Sequence, residues 1–308
     1  MNDAITDVAG VRVGHCTVLR DPDVRTGVTV VVPPDLPLFA GSHVLNGNGE
    51  VTGLAWLRES GQLTTPIGLT NTHSVGVVRD ALVEETIRNG SDLWALPVVG
   101  ETYDGFLNDI NGMHVTRDHV FAALADAKDG PVAQGCVGSG TGMICHGFKG
   151  GIGTASRRAG EHTVGVLVQA NHGRRARLTI DGENVGARST VPLPVDAPEG
   201  AGSIIVVVAT DAPLLPHQCE RVAQRAAFGV ARTGGAGENT SGDFMLCFAT
   251  GNAKVDELDT VRKLRDTQID ELFYAAIDAT EGAIVNALRH AETTTGRGGR
   301  TVYAFRSE

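Results

Sequence analysis

The chain has 308 residues, with 26 basic against 36 acidic side chains and a formal charge of −10. That length suits one large domain or two ordinary ones, and that charge argues against nucleic acid or an anionic membrane as a general partner. Forty glycines are dispersed without a fixed period, which excludes collagen-like and low-complexity chains and points to tight turns in a strand-rich protein.

Taken in chain order, residues 5–14 read as a short strand with turn glycines, and Val28 to Val32 as a strand closed by Pro33 and Pro34. The stretch from His43 to Gly53 is rich in Gly and Asn and reads as a loop, followed by a short helix over 54–61. Pro66 to Asn71 is strand running into loop. The apolar spacing of Val77 to Asn89 predicts an amphipathic helix ending at Asn89-Gly90. A second helix is expected over 116–127, with Thr116 as N-cap and Val120, Leu124 and Ala127 on one face.

The densest glycine region, 135–154, contains Gly138-Ser139-Gly140-Thr141-Gly142. It lacks the spacing of a nucleotide-binding loop and reads as a close-packed turn lining a site. His162 to Ala170 is a buried-type strand, and a Pro- and Gly-rich loop over 190–202 precedes another at 203–210. Asp211 is expected to cap a helix over about 213–231, with an apolar strand over 244–250 and a short helix over 255–264 after it. A long helix over 269–288 and a closing strand over 301–305 complete the chain. No clear domain boundary divides it. Dense strands on either side of helices predict a layered α+β fold with one core across residues 1–308.

No apolar run approaches the ~18 residues of a membrane span, and the N-terminus lacks the basic start and apolar stretch of a signal peptide. The five cysteines are scattered and odd in number, which argues against a disulfide framework and for a cytoplasmic location. Neither zinc-finger spacing nor an H-E-x-x-H motif occurs, so neither metal nor cofactor is expected.

The chemistry centres on Gly202-Ser203, where the Pro/Gly loop delivers one serine to the mouth of a buried strand. A serine hydroxyl needs a base, and no G-x-S-x-G elbow is present. If the chain is cut before Ser203, the new α-amine, with a pKa of ~7.7–8.0, supplies that base near neutral pH. Gly202 suits such a cut because it adopts backbone angles other residues avoid. Ser241-Gly242-Asp243, placed just ahead of the 244–250 strand, offers a hydroxyl and a carboxylate to the nucleophile and its ammonium. Asn171 offers an amide donor to an oxyanion. Glu101 and Tyr103 offer a carboxylate for a substrate ammonium and a phenol for developing charge. Taken singly, each also reads as something plainer: a loop serine, a turn aspartate, an Asx turn, a polar loop.

Together these motifs resemble the family of L-aminopeptidase/D-amino-acid esterase-amidases and β-peptidyl aminopeptidases. The resemblance runs in order through Ile5–His15, His43–Gly47, Asn71–Gly76, Gly100–Asp109, Gly138–Met143, Phe148–Thr154, Val168–Asn171, Gly202–Leu214 and Ser241–Asp243. It implies a precursor that cuts itself before Ser203, giving an α chain (1–202) and a β chain (203–308) that stay together. It also implies an αββα sandwich and a homo-oligomer of such heterodimers. By that resemblance Ser203 is the nucleophile with its own amine as base, and Ser241 and Asp243 assist it. Asn171 and Tyr103 stabilise the oxyanion, and Glu101 holds the substrate's amino group. Asn239-Thr240 is a lesser candidate for cleavage, because no buried strand is expected to begin at 240. The expected activity is cofactor-independent hydrolysis of N-terminal residues from short peptides, amides or esters. An acyltransferase of ornithine acetyltransferase type and a non-catalytic small-molecule binding protein are the competing classes.

Overall fold

The computed structural model describes residues 2–91, 94–196, 202–252 and 260–306. A 3-10 turn at Ile5–Asp7 leads into strands β1 (Arg12–Arg20), β2 (Val24–Val32) and β3 (Leu38–Gly47). Helix α1 (Leu54–Ser60), β4 (Gln62–Leu63), β5 (Ile67–Asn71), α2 (Val75–Arg88), β6 (Val98–Thr102) and α3 (Arg117–Asp126) follow. A small hairpin, β7 (Ile144–Cys145) and β8 (Phe148–Lys149), precedes β9 (Gly151–Ala159), β10 (His162–Asn171) and the single turn α4 (Val185–Arg188). The chain closes with β11 (Gly202–Thr210), α5 (Pro216–Arg232), β12 (Ser241–Ala249), α6 (Ile269–Arg289), β13 (Thr294–Thr295) and β14 (Thr301–Val302).

Two sheets carry the architecture, one of four strands in the order β1-β2-β5-β6 and one of six in the order β4-β3-β12-β11-β10-β9. They stack face to face. Helices α2 and α3 cover the outside of the smaller sheet, and α5 and α6 the outside of the larger. The result is an αββα sandwich with three apolar layers. Val28, Val30, Val78 and Leu82 fill the layer under α2 and α3. Val31, Leu69, Leu167 and Phe248 lie between the sheets, and Val166, Met245, Ala276 and Ile284 lie under α5 and α6.

Strand β11 shows why the sequence demands this arrangement. Alternate side chains of a strand face opposite ways. Ile204, Val206 and Val208 belong to the helix-side layer, while Ile205, Val207 and Ala209 belong to the layer between the sheets. Both faces are apolar because both are covered, each large side chain contributing roughly 1.5–3 kcal/mol on burial. The sheets approach closely over this strand: a Cβ on Gly100 of β6 would stand 3.1 Å from the Ile205 side chain.

Several expectations need correction. Residues 5–7 form a 3-10 turn and the strand begins only at Arg12. His43 to Gly47 are strand, not loop, because β3 pairs with β12 along its length and sequence composition does not register a partner. Asp211 caps no helix; its Oδ1 accepts from the Thr163 N–H at 2.8 Å, and α5 starts at Pro216 behind Leu215. Strand β12 begins at Ser241, so Ser241-Gly242-Asp243 lie within it. A buried strand therefore does begin directly after Asn239-Thr240, contrary to the expectation that none starts there. The expected helix over 255–264 lies partly outside the described residues, and residues 260–264 are not helical. The closing strand is limited to Thr301–Val302.

Candidate active site

Ser203 is the second residue of β11. By alternation it shares the face of Ile205 and Val207 and is only 4% exposed. Its two ladder neighbours are Asn171 on antiparallel β10 and Gly242 on parallel β12. The Gly242 N–H donates to Ser203 Oγ at 3.1 Å. Beside it, Gly202 has φ +150°, and a Cβ there would stand 1.8 Å from the Asn171 carbonyl oxygen and 3.4 Å from Asn171 Nδ2. Only glycine fits this position, where it packs against the Asn171 main chain.

A cavity of about 540 Å³ opens at this end of the sandwich, and its walls include Ser203, Asn171, Tyr103, Glu101 and Thr72. Phe106, Ile144 and Leu193 give it an apolar side. The Asn171 amide is oriented at both ends. Its Oδ1 accepts from the Ile144 N–H at 2.7 Å, and its Nδ2 donates to the Tyr103 carbonyl at 3.0 Å. The second Nδ2 proton has no partner among the described residues, and Asn171 lines the cavity together with Ser203.

Glu101 is held as firmly. Its Oε1 accepts from the Glu50 N–H at 3.0 Å and its Oε2 from the Thr72 hydroxyl at 2.5 Å. Burial raises its pKa, and those two hydrogen bonds oppose the rise by favouring the carboxylate. A buried carboxylate facing a cavity through satisfied oxygens is suited to receive a cation. Tyr103 is half exposed; its ring packs over Gly105 at the cavity wall, and its main-chain carbonyl receives Asn171.

Ser241 and Asp243 stand differently. Ser241 pairs with Gly202 and Asp243 with Ile204 in the ladder, and Ser241 Oγ donates to Asp243 Oδ1 at 2.6 Å. Burial raises the Asp243 pKa, against the Ser241 hydrogen bond. Neither is among the residues lining the cavity. What reaches Ser203 Oγ from this strand is the Gly242 N–H, not a side chain.

Sequence reasoning missed Gly242 as a donor, and Thr72 and the Asn48-Gly49-Glu50 turn as the support of Glu101. The turn's signal was its paired Asn-Gly steps. A Cβ on Gly49 would stand 2.9 Å from Glu101 Oε1 and 3.4 Å from Gly242 Cα, so this turn is wedged between the carboxylate and the strand carrying Gly242. The Gly138–Gly142 stretch holds a buried 3-10 turn at Gly138–Gly140, with the Ser139 N–H on Thr29 Oγ1 and the Thr141 hydroxyl on the Gly138 carbonyl. It packs inside the fold and does not line the cavity. No helix among the described residues is long and apolar enough to cross a membrane.

The chain matches Peptidase family S58 over residues 3–302. It is 45% identical to the β-peptidyl aminopeptidase BapA of Sphingosinicella microcystinivorans, over 98% of this chain and 85% of that one. Among solved structures, a Burkholderia sp. β-aminopeptidase shares 54% identity with a TM-score of 0.93, covering 99% of this chain and 91% of that one. The L-aminopeptidase D-Ala-esterase/amidase of Ochrobactrum anthropi, described as a variant among the Ntn hydrolase fold, shares 42% identity with a TM-score of 0.93 over the same shares. Membership follows from the sequence and the sandwich alike: the chain belongs to peptidase family S58 and is a hydrolase on the N-terminal-nucleophile fold.

Proposed function

We propose that the chain cuts itself between Gly202 and Ser203, and that the freed Ser203 is the nucleophile of an aminopeptidase acting on short peptides, amides or esters. The observation that carries this reading is the Gly202-Ser203 step itself. A serine that is 4% exposed lies at a cavity, after a glycine that no other residue can replace and against a side-chain amide with a spare donor. Ser203 Oγ attacks the Gly202 carbonyl, the C–N bond breaks, and the acyl group passes from nitrogen to oxygen. Water then hydrolyses the ester, leaving Gly202 with a carboxylate and Ser203 with a free amine.

In turnover that amine takes the Ser203 Oγ proton as the oxygen attacks the substrate carbonyl. The second Nδ2 proton of Asn171 meets the developing oxyanion, and the Tyr103 phenol lies on the same wall. The leaving amine takes a proton from the serine ammonium. Water then releases the acyl group by the same path reversed. Glu101 holds the substrate's own ammonium, which restricts attack to the first residue of a peptide. Ser241 and Asp243, flanking Gly202 and Ile204 in the ladder, hold the new ammonium in place. The two relatives named for β-amino-acid substrates are more identical to this chain than the L-aminopeptidase is, which favours peptides that begin with a β-amino acid.

The fold explains how two products stay together. Strands β11 and β12, from the 203–308 part, lie in the larger sheet between β3 and β10, from the 1–202 part. One folded unit thus survives the cut. Exposed Phe228 and Tyr274 on α5 and α6 give its outer helical layer an apolar surface for a homo-oligomer, and five free thiols suit a reducing, cytoplasmic setting.

Intact mass with N-terminal sequencing tests the cut. Native protein yields a fragment beginning Ser203-Ile204-Ile205, whereas Ser203→Ala stays whole and loses turnover by on the order of 10⁶-fold, as in other nucleophile deletions. A cleaved and active Ser203→Ala protein would overturn the assignment.

A further inference from the structure

A second polar cluster stands beside the cavity and plays no part in the reaction above. The β7–β8 hairpin turns at His146 and Gly147, whose φ values are +49° and +69°. A two-residue turn with both residues left-handed is a tight hairpin connection, and a histidine held in that region is uncommon. The turn brings Cys145 and His146 against His172, the residue after Asn171. The His146 N–H donates to the His172 carbonyl at 2.7 Å, and the two rings meet edge to face with centroids 5.1 Å apart.

The donor atoms converge. Cys145 Sγ is 3.8 Å from His172 Nδ1, and that sulfur and one ring nitrogen of each histidine lie within 4.8 Å of one another. Metal bonds of about 2.0–2.3 Å set ligand atoms about 3.3–3.8 Å apart, so small side-chain rotations close the site. All three residues are buried. Among the described residues His146 Nε2 has no hydrogen-bond partner, which buried polar atoms seldom lack; on His172 it is Nδ1 that faces the Cys145 sulfur. His146 Nδ1 lies 3.1 Å from the Arg174 carbonyl. A carbonyl only accepts, so Nδ1 carries the proton and Nε2 a bare lone pair, the tautomer and the carbonyl support of a ligating histidine.

We propose that Cys145, His146 and His172 form a buried site for one soft d¹⁰ metal ion, with Cu⁺ favoured over Zn²⁺. A thiolate with two imidazoles is a soft donor set. Binding sends the Cys145 thiol proton to solvent, so Cu⁺ leaves the cluster neutral and Zn²⁺ leaves it with one positive charge. The surroundings disfavour that charge, because all three residues are buried and a net charge there is poorly solvated. Three ligands also complete a trigonal Cu⁺ site, while Zn²⁺ would draw in a water as its fourth ligand, which a cluster of three buried residues does not favour. The ion joins the hairpin to the end of β10 one residue beyond Ile144 and Asn171, whose 2.7 Å hydrogen bond orients the cavity's side-chain amide. Its role is positioning.

Anaerobic titration of the reduced full-length protein with Cu⁺, against a copper(I)-specific chelator, tests this, with bound metal counted by mass spectrometry and its neighbours read by X-ray absorption. One Cu⁺ per chain is expected, with one sulfur and two nitrogen neighbours. His146→Asn keeps the turn, because asparagine tolerates the left-handed conformation, and weakens binding at least about 100-fold, the upper end of what loss of outer support costs. Cys145→Ser removes the sulfur neighbour. Copper retained equally by both variants, or bound through sulfur alone at Cys16 or Cys136, overturns the site. Zn²⁺ displacing Cu⁺ in a competition arm overturns the choice of ion.

Discussion

Two buried carboxylic acids stand three residues apart at the end of β6, and their surroundings differ. Burial is the largest influence on both and raises both pKa values, that of Asp104 to about 7. Glu101 lines the cavity, with one oxygen on the Glu50 N–H and the other on the Thr72 hydroxyl. Asp104 does not. Its Oδ1 accepts from Asn108 Nδ2 at 3.0 Å, and its Oδ2 has no well-formed hydrogen bond among the described residues, although Thr26 and Asn71 stand close enough to favour the carboxylate against burial. Neighbouring Asn71 donates through Nδ2 to Thr26 Oγ1, while its Oδ1 is bare as well. Burial alone therefore does not distinguish the acid at the cavity from the one behind it. Glu101 keeps its negative form supported and has space in front of it, whereas Asp104 is driven toward the neutral form inside a closed polar pocket.

Exchanging each acid for its amide is the most direct way to break this contrast. Glu101→Gln keeps the shape and removes the charge that would meet a substrate ammonium. A charge-assisted hydrogen bond is worth about 1.5–3 kcal/mol, so kcat/KM should fall about 10- to 150-fold, chiefly through KM. An ester analogue lacking the amino group should be cleaved equally by both proteins. Equal loss on both substrates would remove Glu101 from its role at the ammonium.

Asp104→Asn should leave KM unchanged and act on stability. The folded-state pKa of Asp104 is raised, so its contribution is complete below the unfolded value near 3.8, declines as pH rises and is gone above about 7. An asparagine is neutral throughout and places an N–H where Oδ2 now lacks a well-formed hydrogen bond. The variant's advantage should therefore grow with pH and reach about 1–3 kcal/mol above pH 7, the usual penalty of an unpaired buried group. Thermal midpoints compared at pH 5 and pH 8.5 give the reading. A constant difference at both pH values would show that Asp104 does not titrate in this way.

The same residues show what a sequence discloses. The layered αββα fold was legible because β10 and β11 are continuous apolar runs, which only a strand covered on both faces requires. Ser203 stood out as a candidate through the Pro/Gly loop ahead of it and the family pattern around it. Its geometry was not: Asn171 becomes its neighbour through antiparallel register, and Gly242 reaches it through a main-chain N–H that leaves no trace in side-chain identity. His43–Gly47 read as loop because Gly and Asn are poor strand formers, and pairing with β12 overrode that preference. Cys145, His146 and His172 fit no metal spacing because a hairpin turn and a strand end, 26 residues apart in sequence, bring them together.

The finest test of the contrast leaves both acids in place and changes one support. Thr72→Val is near-isosteric and removes the hydroxyl that donates to Glu101 Oε2. That bond favours the charged form against the desolvation that raises the pKa, so its loss should raise the Glu101 pKa further. Fewer molecules then carry the carboxylate at a given acidic pH, and the acid limb of kcat/KM moves upward. A hydrogen bond of this kind is worth about 1 kcal/mol, so activity on the acid limb should fall about fivefold and recover once the pH exceeds the new value. Activity lowered by the same factor at every pH would mean that Thr72 acts by packing alone. A displaced limb would show that Glu101 works as an anion in the cavity, a form that Asp104 loses in its closed pocket.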